Sequence, residues 1–166
     1  MKVLRALFGG VLGAAAMTLV MALCRLGGVP VGLELLLGTL ATGSLGFMSW
    51  VVGVSLHLAL GALLALVYAW VFERGTQLAG AWVGASVATL HATLAGVVLA
   101  AVPSLHPLVP EALPGPGAFF IGLGASGLLL FVLLHLLYGA IVGSFYGPVK
   151  SGRVAFAPRR LSATRF

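Results

Sequence analysis

Aspartate is absent from this 166-residue chain, and its only acids are Glu34, Glu73 and Glu111. Hydrolase chemistry that needs two adjacent carboxylates therefore lacks its residues. The single cysteine, Cys24, excludes an intrachain disulfide and a Cys-based zinc site. No glycine-rich loop followed by lysine is present to cradle a phosphate, so a nucleotide-driven activity has no anchor. Charged residues make up 7% of the chain and hydrophobic ones 61%, where a soluble domain carries about a quarter charged residues. Such a surface cannot be kept in water. The formal net charge of +6 comes from a few clustered lysines and arginines, and residues 26–73 contain neither. Without a basic face along the fold, nucleic acid is not an expected partner.

What the chain does have is long apolar runs. A helix needs about 20 mostly apolar residues to cross the hydrocarbon core, with its backbone polar groups satisfied internally. Residues 6–24, 48–72, 80–102 and 119–146 qualify, the last being long enough to tilt or to begin with an irregular turn. Residues 32–42, within an apolar piece running from Pro30 to Gly43, are too few to span. They predict a short helix lying in the interface or re-entering slightly. Lys2 and Arg5 ahead of the first run imitate a signal peptide, but no small-x-small cleavage site follows, so the segment reads as a retained helix.

Orientation follows from lysine and arginine near the ends of the spans. Lys2, Arg5 and Arg74 fall on one side with Lys150, Arg153, Arg159, Arg160 and Arg165, and only Arg25 falls on the other. Both termini are expected in the cytoplasm, in a multi-pass protein of the plasma (inner) membrane. Five of the eight prolines, from Pro103 to Pro116, lie in the second external connection, where they prevent helix continuation. The basic tail, 148–166, suits anionic headgroups.

Comparing the chain with itself reveals an internal duplication. Leu7, Gly9, Gly13, Ala14, Thr18, Leu19 and Leu23 recur 71 positions later as Leu78, Gly80, Gly84, Ala85, Thr89, Leu90 and Leu94. Leu56, His57, Leu58, Gly61, Ala62 and Tyr68 recur 78 positions later as Leu134, His135, Leu136, Gly139, Ala140 and Tyr146. Pro30 and Glu34 match Pro107 and Glu111. The expected fold is all-α: two parallel-repeat helix hairpins, residues 1–73 and 74–147, related by an axis along the membrane normal. Gly9 with Gly13, Gly80 with Gly84, and Gly139 with Gly143 are small-xxx-small pairs suited to close helix approach, and Gly61 joins them by its match to Gly139.

The segment 32–43, followed by Trp50, His57, Gly61 and Tyr68 and later by His135, Gly139 and Tyr146, resembles small bacterial integral membrane proteins with four helices. The resemblance covers most of the chain. It implies a four-helix membrane fold and carries no activity.

His57, Gly61, Leu64 and Tyr68 lie within about 40° of one helical face, a stripe repeated by His135, Gly139, Val142 and Tyr146. The tyrosines, about 16 Å along the axis from the histidines, are expected at the cytoplasmic headgroups as an aromatic belt. Histidine within a span is costly and faces protein or a water-filled cavity. His57, His135 and His91 are therefore expected to point inward at one level. There they serve as hydrogen-bonded clasps between helices, as ligands of a b-type haem or a transition metal, or as a polar path. His106, in the proline-rich loop, reads as solvated. Gly124, Ala125, Ser126 and Gly127 spell the G-x-S-G string of rhomboid proteases, which is nearly expected by chance among 24 glycines.

Three function classes remain open at this level. The first is a non-enzymatic accessory or structural component of a membrane assembly, with no cofactor, whose partners are the lipid bilayer and a membrane protein or a second copy of the chain. The second is a haem b or metal protein using the three histidines. The third is a small dimeric transporter or channel.

Overall fold

The computed structural model describes residues 1–149, so the basic cluster from Lys150 onward lies outside the described residues. The described residues form six α-helices and no strand. They are α1 (Val3–Leu26), α2 (Leu33–Thr42), α3 (Phe47–Trp70), α4 (Ala81–Ala100), α5 (Val102–Leu105) and α6 (Gly124–Tyr146). A π-helical turn, Val71–Thr76, prolongs α3, and a 3-10 turn, Ala118–Leu123, precedes α6. Four helical stretches, Val3–Leu26, Phe47–Thr76, Ala81–Ala100 and Ala118–Tyr146, are long and apolar enough to cross a membrane. Each contains one of the expected apolar runs or overlaps nearly all of it.

Local sequence explains the ends. α2 stops at Gly43, whose φ of +71° lets its N–H turn back to the Thr39 carbonyl, the left-handed cap that glycine adopts without penalty. The irregular start expected before α6 is present, at a cost. Phe119 and Phe120 have φ of +53° and +62°, a region that disfavours side chains by roughly 1–2 kcal/mol per residue. Aromatic packing holds them there: both rings lie edge-on to Phe131, with centroids 5.7 and 5.2 Å away. Gly96 on α4 leaves room for the Phe119 ring, which any Cβ at that position would overlap.

The four long helices stand in a curled row. α1 packs between α3 and α6, and α6 packs between α1 and α4. α3 and α4, at the two ends of the row, make little direct contact. Small residues set the crossings. α1 meets α3 where Gly10 and Ala14 touch Gly61, and α4 meets α6 where Gly84 touches Gly139 and Gly143. A Cβ at Gly84 would overlap the Gly139 carbonyl oxygen.

These contacts revise the glycine pairing. Gly9 and Gly13 face α6, against Phe145, Val142 and the Tyr138 ring, so Gly10, not Gly13, occupies the place in the α1/α3 crossing that Gly84 has in the α4/α6 crossing. The sequence match at 71 positions is offset by three residues from the packing match of Gly10 with Gly84. Three residues leave Gly10 and Gly13 about 60° apart around α1, so one meets α3 and the other α6.

The tyrosines also depart from expectation. Tyr68 and Tyr146 are 2% and 0% exposed, inside the bundle and not in a belt. The three tryptophans, Trp50, Trp70 and Trp82, are all exposed near helix ends, as are Phe47 and Phe145. Trp50 and Trp70 are twenty residues apart on α3, about 30 Å at the helical rise, which matches the hydrocarbon thickness.

Candidate functional site

A cavity of about 470 Å³ lies between the facing sides of α3 and α4, in the half of the bundle remote from the N-terminus. Its walls are apolar, built from Met17, Leu60, Leu64, Leu94, Ala95 and their neighbours. α2 and the connection after α4 roof it, through Leu36, Leu37, Leu40 and Leu105. Leu60, Leu94 and Val98 line it and are 44%, 60% and 68% exposed. The gap between α3 and α4 is thus a side opening on the face that a bilayer would cover.

His106 fastens the roof. Its Nε2 is 3.0 Å from the Leu36 carbonyl oxygen and 3.1 Å from Thr39 Oγ1, while its Nδ1 accepts the Leu108 N–H at 3.1 Å. A backbone donor at Nδ1 puts the ring proton on Nε2, where it is shared between the two acceptors on α2. His106 is 5% exposed. The sequence assigned it to solvent because nothing local reveals that α2, about 70 residues earlier, packs over it.

α2 is itself anchored to α3. Its Gly38 lies against the Ser49 carbonyl, and Gly53 of α3 lies against the Glu34 carbonyl. Glu34 is fully buried. Arg25 Nη1 stands 2.6 Å from Glu34 Oε1 and donates to the Val31 carbonyl at 2.7 Å. The approach to Glu34 is too oblique for a hydrogen bond, so neither carboxylate oxygen accepts one among the described residues. Among the described residues Arg25 is the only lysine or arginine at this end of the bundle, and it neutralises a buried acid.

The structure brings His57, His91 and His135 to this one cavity, and His57 and His135 are 4% and 6% exposed. Each ring has its Nδ1 engaged by protein. His57 Nδ1 is 2.9 Å from Thr18 Oγ1 on α1, His91 Nδ1 is 3.2 Å from the Tyr68 hydroxyl on α3, and His135 Nδ1 is 2.8 Å from the Phe131 carbonyl oxygen. A carbonyl only accepts, so His135 donates from Nδ1. None of the three Nε2 atoms has a protein hydrogen-bond partner among the described residues. Two of the rings serve as interhelical clasps, and all three present a free nitrogen edge.

The His91 and His135 rings are in edge contact, with centroids 4.9 Å apart, which leaves no room for a macrocycle between them. Among the described residues no group of three or more His, Cys, Asp or Glu side chains is arranged to hold a metal ion. Below the histidines an aromatic stack continues through Tyr138, Tyr68, Phe72 and Tyr146. The Tyr138 hydroxyl donates to the Gly61 carbonyl at 2.5 Å. Tyr146 donates to Glu73 at 2.5 Å, and the Lys2 backbone N–H approaches the same hydroxyl at 3.2 Å, closing the terminal end of the bundle. Ser126 is exposed on α6, away from the histidines.

The sequence missed the tyrosine partners because a tyrosine near a helix end is usually an interfacial anchor. The available signal was that Tyr68 shares a face with His57 and Gly61, which are both buried. No family model matches the chain, and no curated protein or solved structure is significantly similar to it.

Proposed function

We propose that this chain is a non-enzymatic integral membrane protein that takes an apolar, bilayer-borne molecule into the cavity between α3 and α4. One observation carries the reading: an apolar cavity of about 470 Å³, open sideways between two membrane-length helices and roofed at its far end by α2. That volume is within the range of about 300–1,000 Å³ typical of small-molecule sites. A side opening admits what is dissolved in the bilayer and excludes polar solutes, which would have to leave water first. In a membrane assembly such a module acts as an accessory component that holds or delivers a lipid-phase ligand.

The proposed setting is the plasma membrane, with both termini in the cytoplasm and the roof outside. The lysine and arginine distribution supports the orientation, and the tryptophan levels on α3 support a membrane crossing. Residues 1–73 and 74–147 are read as duplicated hairpins in parallel orientation, with α2 as a short re-entrant helix in the first. The matched His57 and His135 support this, as do the equivalent glycine crossings of α1 with α3 and α4 with α6. Strict twofold symmetry would pack α3 on α4 as closely as α1 packs on α6. Instead the second contact is opened, and the cavity occupies the space.

Mass spectrometry of lipids retained by the detergent-purified protein tests the reading. An apolar molecule at near one-to-one ratio is expected, and Ala95→Trp, which fills the cavity from α4, should lose it while leaving thermal stability within a few degrees. If Ala95→Trp retains that molecule unchanged, the cavity is not where it binds.

A further inference from the structure

We infer that the cavity selects a lipid-phase molecule carrying a hydroxyl head, with His135 Nε2 as the acceptor of its O–H. The inference rests on the ligand-binding reading above and adds the chemistry of the head group.

His135 is more than nine-tenths buried and lines the cavity. Its Nδ1 proton is committed to the Phe131 carbonyl at 2.8 Å, so in a neutral ring the bare lone pair is on Nε2. That lone pair has no protein donor among the described residues. Among the described residues only the Glu34 carboxylate oxygens are sealed without a partner, so the unpartnered Nε2 of His135 opens onto the cavity, whose lining is mostly leucine, alanine and phenylalanine with His91 beside it. An acceptor in such apolar surroundings gains from a donor, and a ligand that brings one is favoured over a ligand that brings only acceptors. Ketones, quinones, ethers and esters offer only acceptors, whereas alcohols and phenols offer an O–H.

The neighbouring histidine completes the match. The Tyr68 hydroxyl has no other acceptor among the described residues, so it donates to His91 Nδ1 at 3.2 Å and places the His91 proton on Nε2. His91 then supplies a donor next to the His135 acceptor, with ring centroids 4.9 Å apart. One hydroxyl oxygen satisfies both, donating to His135 and accepting from His91. The apolar body of the ligand lies along Leu60, Leu64, Leu94 and Ala95 toward the side opening. Isoprenoid alcohols and tailed hydroquinones share this chemistry.

The test is equilibrium binding to the detergent-purified full chain. Farnesol is compared with farnesyl methyl ether, and a tailed hydroquinone with its dimethyl ether. The hydroxyl compound of at least one pair should bind on the order of tenfold more tightly than its ether, and the pair showing the larger preference identifies the source of the head group. His135→Phe should abolish the preference while still binding the ether. Equal affinities within both pairs would overturn the hydroxyl inference and leave the cavity reading standing. If none of the four compounds binds and no lipid is retained, both fail. Should His135→Phe not fold, the wild-type comparison still decides, together with the ¹⁵N shift of His135 Nε2. That shift should move with the alcohol and stay fixed with the ether. Preference persisting in folded His135→Phe would also overturn the assignment.

Discussion

A residue in this bundle is worth what its neighbour leaves room for. Gly84 and Gly75 are both helical glycines, yet a Cβ at Gly84 meets the Gly139 backbone while one at Gly75 meets only the Val71 side chain at 3.6 Å. Gly84→Ala should therefore destabilise the protein by about 1–3 kcal/mol, on the scale of core overpacking, and Gly75→Ala should stay within about 0.5 kcal/mol of wild type. Thermal unfolding in detergent reads both, and equal midpoints would mean that α4 and α6 are not in backbone contact. Tyr138 makes a different contribution, since its hydroxyl satisfies a Gly61 carbonyl at the α1/α3 crossing. Tyr138→Phe keeps the ring packing against Gly13 and loses about 1 kcal/mol. An unaltered midpoint would show that the bond adds no net stability.

At the scale of the element, α2 is the least expected part of the fold. Ten residues, too few to span, are held by glycine contacts at Glu34 and at Gly38, by the His106 clasp and by the pairing of Arg25 with the buried Glu34. Arg25 is a third exposed, so its removal strands a buried carboxylate more than it removes a strong bond. Arg25→Leu is expected to cost roughly 1–3 kcal/mol and to expose the 27–32 connection to protease. The double variant Arg25→Leu with Glu34→Leu should recover most of that stability, because stranding one partner is worse than replacing both. Additive losses in the two singles and the double would mean that the charges do not interact. The sequence placed Glu34 correctly at the start of a short helix. It could not show the burial, which depends on Gly53 lying opposite in α3.

For the whole molecule, the expected topology follows from charge and is tested by reporters. One fused after Phe166 should be cytoplasmic, and one inserted near Pro114 should be external. The reverse pattern would overturn the proposed orientation, and the same side for both would overturn the number of crossings.

Composition and hydropathy by themselves determined the helical class, the four long apolar helices and the presence of a short fifth segment, because burial of backbone polar groups in lipid leaves few alternatives. The helical period likewise put His57, Gly61 and Tyr68 on one face, and all three are buried. Only the tertiary structure decided which helices touch. Hydropathy reports depth in a bilayer and periodicity reports a face, but neither says which neighbour that face meets. That choice came from the fit of Gly10 to Gly61, Gly84 to Gly139 and Gly13 to the Tyr138 ring, contacts between residues 51 to 125 positions apart. Those fits hold α1 against α6 and leave α3 and α4 apart. The three histidines therefore line a cavity, where closer packing of α3 on α4 would have left them in a sealed core.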